Sequence, residues 1–468
     1  MTHQRPIPLV LALFLAGGLT VVAAALTLGN AAGTVSAYEA GGALLGAIAA
    51  AALALATRPA WPLSIGLALG VFSNHWSTLG IPIAFDRLLI SAAVVSILVR
   101  EALRRPGALR TRPIDWLLIV VALYAVCSAL VVGTLGEHSA MFALIDRLSL
   151  LGFALFYVAP RAFREPRDRQ VLLGTFVALG AYLGVTALLE TTGPRALVLP
   201  SYISDPSIGI HYGRARGPFV ESSEDGLVLF ACGIASVLAA LSWHSRRWRR
   251  VALVIAGLCA LGTLLTLTRA VWISSVAATA LALLATRETR RFVAPVGALV
   301  ALMVLVAFAA VPHLQAQAQS RANDQAPLWD RQNSNAAALR MIAARPLVGF
   351  GWGEFPTQSI SYYRQSPNYP LTFVHDVHNV YLVNAVELGL IGGGLWLLAF
   401  ATVIVGGVLR RGPPSLRPWK LSLIALGTSY AMTALVTPLA FALPTLLVWT
   451  WSGLAWGEDG PRLRQERS

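Results

Sequence analysis

Long apolar runs separated by short arginine clusters are the feature that most restricts how this chain can fold. A helix needs about 20 apolar residues to cross the hydrocarbon core of a bilayer. The runs that approach or exceed this length lie near 7–28, 37–56, 61–80, 87–103, 114–133, 141–160, 170–189, 225–243, 251–268, 270–286, 292–312, 379–409, 419–436 and 438–456. Only 12% of the residues are charged, whereas a soluble domain is about a quarter charged. We therefore predict an all-α polytopic membrane protein with about 12–14 transmembrane helices.

The arginine clusters indicate which side of the membrane each loop occupies. Cytoplasmic loops of membrane proteins carry an excess of Lys and Arg. With the N-terminus in the cytoplasm, every cluster falls on that side; the clusters are at 100–112, 161–169, 246–250, 287–291, 410–420 and 462–467. We predict a bacterial inner-membrane protein with both termini in the cytoplasm. The net charge of +14 then reflects topology, and no nucleic-acid partner is expected.

Two outward segments are longer than simple turns and divide the chain. We predict N-terminal transmembrane helices over 1–190, a first periplasmic loop over 191–224, central transmembrane helices over 225–312, a large periplasmic loop over 313–378, C-terminal transmembrane helices over 379–456 and a cytoplasmic tail over 457–468. Loops beyond roughly 12–15 residues tend to be functional or disordered. Within the large loop, Leu328, Ala336, Leu339 and Ile342 recur at helical spacing and predict an amphipathic helix near 329–344.

Two details of the apolar runs bear on processing and on redox chemistry. The first run is either a membrane span or a signal peptide, because Val35-Ser36-Ala37 resembles a cleavage site. Cleavage would leave the orientation of the remaining spans unchanged. Cys127, Cys232 and Cys259 fall inside apolar runs without metal-ligand spacing. We interpret them as packing residues.

Arginines on the outward side are rare and therefore informative. Arg214 and Arg216 alternate with small residues in Gly213-Arg214-Ala215-Arg216-Gly217. Forked guanidinium donors suit phosphate oxygens, so this segment predicts an anion site, with a solvated basic loop as the alternative. Arg269 lies at the hairpin between two apolar runs. It is either a further anion ligand or a side chain that extends to the membrane interface.

Two more arginines lie near the outer ends of spans, each directly after an aspartate. They are Arg87 after Asp86 and Arg147 after Asp146. An ionisable residue at membrane depth is by default a functional candidate. The alternative is an Asp–Arg pair that ties helices together, and the sequence favours neither reading.

Imidazole and acidic groups gather where the large loop meets the next span. His375, Asp376 and His378 precede Asn379, and Tyr381 and Glu387 follow on the span. The first three are suited to bind a metal. Asp and Asn are also favoured at helix N-termini. A histidine with a pKa near 6.5 is suited to act as a general base at neutral pH.

Four motifs along 200–400 resemble the O-antigen ligase and O-antigen polymerase family of bacterial membrane glycosyltransferases. They are Arg-x-Arg-Gly-Pro-Phe at 214–219, Leu-Thr-Arg at 267–269, the segment from Arg340 through Arg345-Pro346-Leu347-Val348-Gly349-Phe350-Gly351-Trp352-Gly353, and His378-Asn379-Val380-Tyr381-Leu382 followed by Glu387-Leu388-Gly389. The resemblance implies the architecture of lipid-dependent, GT-C-like glycosyltransferases, without metal or cofactor.

The resemblance also implies a reaction and roles for individual residues. The donor would be a glycan on undecaprenyl diphosphate, and the acceptor would be lipid A-core or a growing polysaccharide. Arg214 or Arg216, together with Arg269, would bind the diphosphate, and His378 would activate the acceptor hydroxyl. We expect His375, Asp376, Asn379, Tyr381, Glu387, Arg87 and Arg147 to support this site. A single displacement predicts inversion at the anomeric carbon, and a flippase for lipid-linked glycans is the alternative function.

Overall fold

The computed structural model describes residues 46, 49–50, 52–79, 81, 84–104, 109–310, 326–364, 377–437 and 441–457. The longer helices of this part of the chain are α1 (Ala60–Leu69), α2 (Phe85–Arg104), α3 (Pro113–Val132), α4 (His138–Ile145), α5 (Leu150–Ala162), α6 (Pro166–Thr192), α7 (Ser222–Ser242), α8 (Arg246–Leu265), α9 (Arg269–Leu284), α10 (Val293–Ala310), α11 (Ala326–Ala344), α12 (Val380–Leu409), α13 (Arg417–Thr433) and α14 (Ala442–Trp456). Short helical turns occupy Gly70–Phe72, Thr134–Gly136, Arg195–Leu197, Ser201–Ser204, Gly217–Phe219, Arg287–Arg290, Phe355–Gln358, Ser359–Tyr362 and Pro414–Leu416. These described residues contain no β-strand.

The helices confirm the prediction of an all-α polytopic membrane protein. Six described segments are long and apolar enough to cross a membrane, namely Pro113–Val132, His138–Ala162, Pro166–Thr192, Ser222–Ser242, Arg246–Leu265 and Val380–Leu409. Three shorter apolar helices are Ala60–Phe72, Arg269–Leu284 and Val293–Val306. The run at 7–28 and much of the run at 37–56 lie outside the described residues, so the total of 12–14 spans stays a prediction.

Two of the apolar runs form shorter helices than predicted. The run near 141–160 is divided into α4 and α5 by a break at 146–149, where Ser149 has a φ of 81°. The run near 61–80 is α-helical only to Leu69 and continues as the turn Gly70–Phe72. Hydropathy does not distinguish these breaks, because apolar residues stand on both sides of each.

Most of the arginine clusters meet at one end of the helix bundle, which we call the basic end. Ion pairs and ring contacts between the clusters are Arg164–Glu101 (3.2 Å), Arg417–Glu288 (2.8 Å), and Arg112 and Arg410 over the ring of Trp456. Helices α7, α9 and α12 each end just before one of the arginine clusters. Their first residues therefore lie at the opposite end of the bundle. We call that end the outer end.

Small residues allow the central helices to approach closely. A Cβ atom at Gly180 would lie 2.7 Å from the sulfur of Cys259, and one at Gly184 would lie 2.5 Å from Leu258. Cys232 and Cys259 are buried between these helices, as predicted for packing residues. Cys127 differs, because it is exposed on α3. Its apolar surroundings in the sequence therefore reflect a face of α3 that other helices do not cover.

The helix predicted in the large outer loop is present, but its buried face is only partly the predicted one, because Ile342 packs against the buried cluster and Leu339 does not. Helix α11 begins at Ala326, close to the predicted start. Leu339, assigned to the apolar face, is 57% exposed, whereas Ala337, Ala338 and Met341 are fully buried. Ala338 and Met341 belong to a small apolar cluster with residues of α12 and of the segment before it. The orientation of α11 is thus set by packing on α12.

Candidate functional site at the outer end

The first outer segment folds tightly around the side chain of Arg216. This side chain is 1% exposed. Its two terminal nitrogens donate to four backbone carbonyl oxygens, those of Ile203 (2.8 Å), Asp205 (2.6 Å), Ile208 (2.7 Å) and Ile210 (3.5 Å). The Nε atom faces a carboxylate oxygen of Glu190 at 4.0 Å. Burial lowers the pKa of the Arg216 guanidinium, and the negative charge of Glu190 acts in the opposite direction.

These contacts argue against the prediction that Arg216 binds a donor diphosphate. A guanidinium has N–H donors on all three of its nitrogens. In Arg216 the two terminal nitrogens donate to carbonyl oxygens and Nε faces Glu190, so no nitrogen is left for a ligand. Glu190 also accepts hydrogen bonds from the backbone N–H of Arg216 (3.2 Å) and of Gly217 (2.9 Å). Arg216 therefore stabilises the fold of the loop, and Arg214 is the remaining candidate of the pair.

Arg214 lies beside the hairpin that carries Arg269. The backbone N–H of Ala215 donates to the carbonyl oxygen of Leu265 (3.2 Å), the last residue of α8. The Nε atom of Arg214 is buried and has no hydrogen-bond partner within the part of the chain that the structure describes. Arg214 and Arg269 thus come from two segments that the Ala215–Leu265 hydrogen bond joins.

The hairpin between α8 and α9 places Arg269 at the first position of a helix. The turn is tight, with a φ of 51° at Leu267, and Trp272 fixes it by donating from Nε1 to the carbonyls of Thr263 and Leu264 (both 3.1 Å). The positive end of a helix dipole favours anions rather than cations. An arginine at this position is therefore expected where an anion binds, because its charge adds to that of the exposed N–H groups.

His378 lies directly before α12, where backbone and side-chain hydrogen bonds fix the start of the helix. The side-chain oxygen of Asn379 accepts from the backbone N–H groups of Tyr381 (3.0 Å) and Leu382 (3.1 Å). The backbone N–H of Val380 donates to the carbonyl of Ala434 (3.0 Å). Asn379 is therefore an N-cap, one of the readings that its position in the sequence suggested.

A second set of contacts links the start of α12 to the start of α9 through the end of α13. The hydroxyl of Tyr381 donates to the carbonyl of Ala431 (3.0 Å), and Val380 bonds to Ala434 just beyond the last turn of α13. One turn inside α9, the hydroxyl of Ser274 contacts that of Thr433 (3.0 Å). His378 and Arg269 consequently lie at the same end of the bundle, on helices that α13 joins.

Helix α12 is broken at Gly389, and the segment 346–351 pairs with the break. Gly389 has φ 68° and ψ −179°, and a Cβ atom there would lie 2.1 Å from the carbonyl oxygen of Leu347. The backbone hydrogen bonds across the break are Phe350 to Val386 (2.9 Å), Gly351 to Glu387 (2.9 Å), Leu390 to Pro346 (2.7 Å) and Ile391 to Leu347 (3.3 Å). The groups that a helix break leaves without partners are thereby satisfied.

Two buried ion pairs hold neighbouring elements around this break. Arg147 pairs with Glu387, and its guanidinium lies 4.4 Å from the ring centre of Trp352. Arg87 pairs with Asp146 at 2.6 Å rather than with the adjacent Asp86. Asp86 accepts instead from the indole N–H of Trp76 (2.7 Å). For Arg87 and Arg147, the contacts favour the reading that they tie helices together.

The sequence shows Arg331 only as one of several outward arginines, without assigning it a role, and in the structure the charge of Arg269 acts on it. Arg331 lies on α11, far from Arg269 along the chain. Burial lowers the pKa of the Arg331 guanidinium, and the positive charge of Arg269 lowers it further. A motif search could not find this effect, because the two residues are widely spaced in the sequence.

Two predicted support residues, His375 and Asp376, lie outside the described residues, so their roles stay predictions. Among the residues that are described, no group of three His, Cys, Asp or Glu side chains could hold a metal ion. The described acidic groups at the start of α7 are deeply buried. Asp225 is fully buried, and it lies so close to Gly217 that a Cβ atom added there would be 2.4 Å from the Oδ1 atom of Asp225.

Comparison with known proteins supports a family for the central part of the chain. Residues 254–397 match the family model described as O-antigen ligase. The matched segment contains Arg269, α11, His378 and the broken part of α12. No curated protein and no solved structure matched the chain. The family match confirms the resemblance for the three motifs that lie within 254–397, whereas the motif at 214–219 lies outside the matched segment.

Proposed function

We propose that this membrane protein, with its O-antigen ligase segment, transfers a glycan from undecaprenyl diphosphate to a hydroxyl of an acceptor sugar. The reaction takes place at the periplasmic face of the bacterial inner membrane, and both termini lie in the cytoplasm. Arginines cluster at the basic end, as the cytoplasmic side requires. The proposed site lies at the outer end, away from those clusters.

The observation that carries this proposal is that hydrogen bonds connect three separate segments of the outer end, two of them directly and the third through α13. The Ala215–Leu265 hydrogen bond joins the segment of Arg214 to the hairpin of Arg269. The contacts of α13 with Ser274 and with Val380 join that hairpin to the segment of His378. Two guanidinium groups and an imidazole thus belong to one end of the bundle, although they are widely spaced in the sequence.

The chemistry of glycan transfer needs these two kinds of group. The bond between the anomeric carbon and the diphosphate oxygen breaks, and the electron pair leaves with undecaprenyl diphosphate. Arg214 and Arg269 stabilise the negative charge that develops on this leaving group, as preorganised cations do in a site with little water. A new bond forms between the anomeric carbon and the acceptor oxygen.

His378 accepts the proton that the acceptor hydroxyl loses. A general base must lie within hydrogen-bond reach of that hydroxyl, and an imidazole is suited to the task near neutral pH. Asn379 and Val380 hold the backbone next to His378 in a defined position. The arginines supply the charge stabilisation, so the proposed reaction needs no metal. A single attack from the face opposite the diphosphate inverts the anomeric configuration.

The acceptor is either lipid A-core, which makes the reaction a ligation, or a growing polysaccharide, which makes it a polymerisation. Both reactions use the same donor chemistry. The experiment is a transfer assay with the purified protein in proteoliposomes that contain a glycan on undecaprenyl diphosphate. Each acceptor is supplied separately, and the products are analysed by mass spectrometry and by the configuration of the new linkage.

We expect a new glycosidic bond of inverted configuration and release of undecaprenyl diphosphate. A glycan that stays attached to its lipid but moves from one leaflet to the other would contradict the proposal and support a flippase. Chelation of divalent metals during the assay should leave the rate unchanged.

A further inference from the structure

The arginine cluster at the start of α8 has only one member that is bonded inside the protein. The cluster consists of Arg246, Arg247, Arg249 and Arg250, and the first turn of α8 contains no acidic residue. The Nε atom of Arg249 donates to the carbonyl oxygen of Ala240 (2.8 Å), near the end of α7. The other three side chains are exposed and make no hydrogen bond or ion pair within the part of the chain that the structure describes. Their positive charges are therefore available to a ligand.

These three arginines line an open groove along α8, together with apolar residues of the next turns. The groove has a volume of about 510 Å³. We call it the α8 groove, and its lining residues are Arg246, Arg247, Arg250, Val251, Val254 and Ile255. Arg247, Val251 and Val254 follow the spacing i, i+4 and i+7, so they lie on one face of the helix. The α8 groove is thus cationic at the start of the helix and apolar beyond it.

The neighbouring residues indicate how deep the α8 groove lies in the membrane. Helix α8 is one of the segments that are long and apolar enough to cross a membrane. Trp248 is 56% exposed, and its ring meets that of Trp243 edge to face, with 6.4 Å between the ring centres. Tryptophan is enriched at the headgroup level of a bilayer. The arginines therefore lie near the lipid headgroups, and the exposed Val254, nearly two turns further on, faces the acyl chains.

The charge of the α8 groove is unfavourable for the protein alone. Arg246 and Arg250 stand at i and i+4, the spacing at which like charges on a helix repel each other. A ligand that relieves this repulsion carries a phosphate, because guanidinium groups present forked donors that match phosphate oxygens. A water-soluble phosphate would leave the apolar part of the groove unused. An uncharged chain would leave the arginines without a counter-charge, so the groove fits a ligand that has both parts.

We propose that the α8 groove binds an anionic phospholipid from the leaflet at the basic end of the bundle. Its phosphate accepts hydrogen bonds from the three arginines, and an acyl chain lies along Val254 and Ile255. The volume of the groove is that of a site for a drug-sized ligand, which suits a headgroup and the first part of a chain. The inference is independent of the proposed glycan transfer, because the α8 groove and the candidate site lie at opposite ends of the bundle.

The bound lipid also covers the junction between α8 and α6. Ile255 faces Gly180 of α6, where a Cβ atom would lie 3.4 Å from the Cγ2 atom of Ile255. A ligand that binds the folded protein and not the unfolded chain raises the melting temperature. An anionic phospholipid is therefore expected to stabilise the protein, which gives a second readout beside direct binding.

The test measures binding to the full-length protein in a neutral detergent by native mass spectrometry and by the melting temperature. The ligands are phosphatidylglycerol, phosphatidylcholine with the same acyl chains, and glycerol phosphate, which has no chain. The groove variant combines Arg246→Gln, Arg247→Gln and Arg250→Gln. The matched control changes the net charge equally at three exposed arginines of the basic end outside the groove, by Arg110→Gln, Arg287→Gln and Arg411→Gln. A further variant, Val254→Asn, keeps every charge.

The proposal predicts that the wild type binds phosphatidylglycerol in preference to phosphatidylcholine and melts at a higher temperature with it. The groove variant should lose about a hundredfold in affinity, at about fivefold for each arginine. The control should bind phosphatidylglycerol as the wild type does. Val254→Asn should weaken phosphatidylglycerol binding about tenfold and leave glycerol phosphate binding unchanged, and it decides the matter if the groove variant does not fold.

Three results would overturn the proposal. The first is an equal loss of affinity in the groove variant and in the control, which would mean that only the total charge matters. The second is equal binding of phosphatidylcholine by the wild type. The third is binding of glycerol phosphate as tight as that of phosphatidylglycerol, which would make the α8 groove a site for a soluble anion.

Discussion

The backbone N–H of Ala215 donates to the carbonyl oxygen of Leu265 at 3.2 Å. This hydrogen bond connects the first outer loop to the hairpin of Arg269, and it separates the roles of the two arginines on either side of Ala215. Arg216 is directed into the loop, where carbonyl groups surround it. The Nε atom of Arg214, in contrast, has no hydrogen-bond partner among the described residues.

Substitution of Arg216 should therefore lower the stability of the protein, whereas substitution of Arg214 should weaken donor binding. Arg216→Gln leaves carbonyl groups and the carboxylate of Glu190 buried without their cation, and we expect a loss of about 3–5 kcal/mol in folding free energy. Arg214→Gln should leave the melting temperature unchanged and raise the Kd for undecaprenyl diphosphate about tenfold. Thermal denaturation and lipid binding measured on both variants check this. An Arg216 variant of normal stability with weakened donor binding would reverse the assignment.

The break in α12 predicts a large effect of a small substitution. Gly389→Ala places a Cβ atom against the carbonyl of Leu347 and forces a non-glycine residue to a φ of 68°. We expect a loss of several kcal/mol in stability, because strain and overpacking act together. Gly394→Ala is the control, since no atom of a described residue lies within 4 Å of its Cβ position. That variant should be as stable as the wild type or about 1 kcal/mol more stable.

The outcome for the glycine pair is read from the melting temperatures of the two purified variants. A Gly389→Ala variant that melts with the wild type would mean that α12 continues unbroken through this position.

The buried pair of Arg147 and Glu387 should act as a unit. Glu387→Gln leaves the Arg147 charge without its partner, which is expected to cost about 3–5 kcal/mol. Replacement of both residues by Met should cost less than the single change, because no unpaired charge stays buried. The exposed pair Arg417–Glu288 at the basic end provides the comparison, with an expected loss of about 1 kcal/mol or less.

A double-mutant cycle on thermal stability measures the coupling within each pair. Equal coupling for the buried and the exposed pair would contradict a structural role for Arg147.

The sequence predicted the membrane class and most helices because apolar length is what a bilayer requires. It placed the helix in the large loop near α11 but predicted its buried face only in part, since Ile342 packs against the buried cluster whereas Leu339 is apolar and nevertheless exposed. The break at Gly389 was missed for a related reason. Hydropathy is continuous through it, and the backbone groups that it releases are satisfied by the distant segment 346–351.

The candidate site was only partly predictable. Arg269 and His378 could be singled out because charge and imidazole are rare at the outer end. Arg214 and Arg216 could not be separated, since both lie among small residues and differ only in where the backbone directs them. Arg331 could be recognised only as one of the outward arginines, because the effect of Arg269 on it arises only when the chain has folded.

The proposed role of His378 is tested most directly by His378→Ala measured for donor binding and for glycan transfer in the same preparation. His244→Ala is the control, because His244 is exposed at the basic end. We expect His378→Ala to bind undecaprenyl diphosphate as the wild type does and to lose transfer by about 10²–10⁴-fold, the usual contribution of a general base. Transfer at the wild-type rate by His378→Ala would contradict the proposed mechanism.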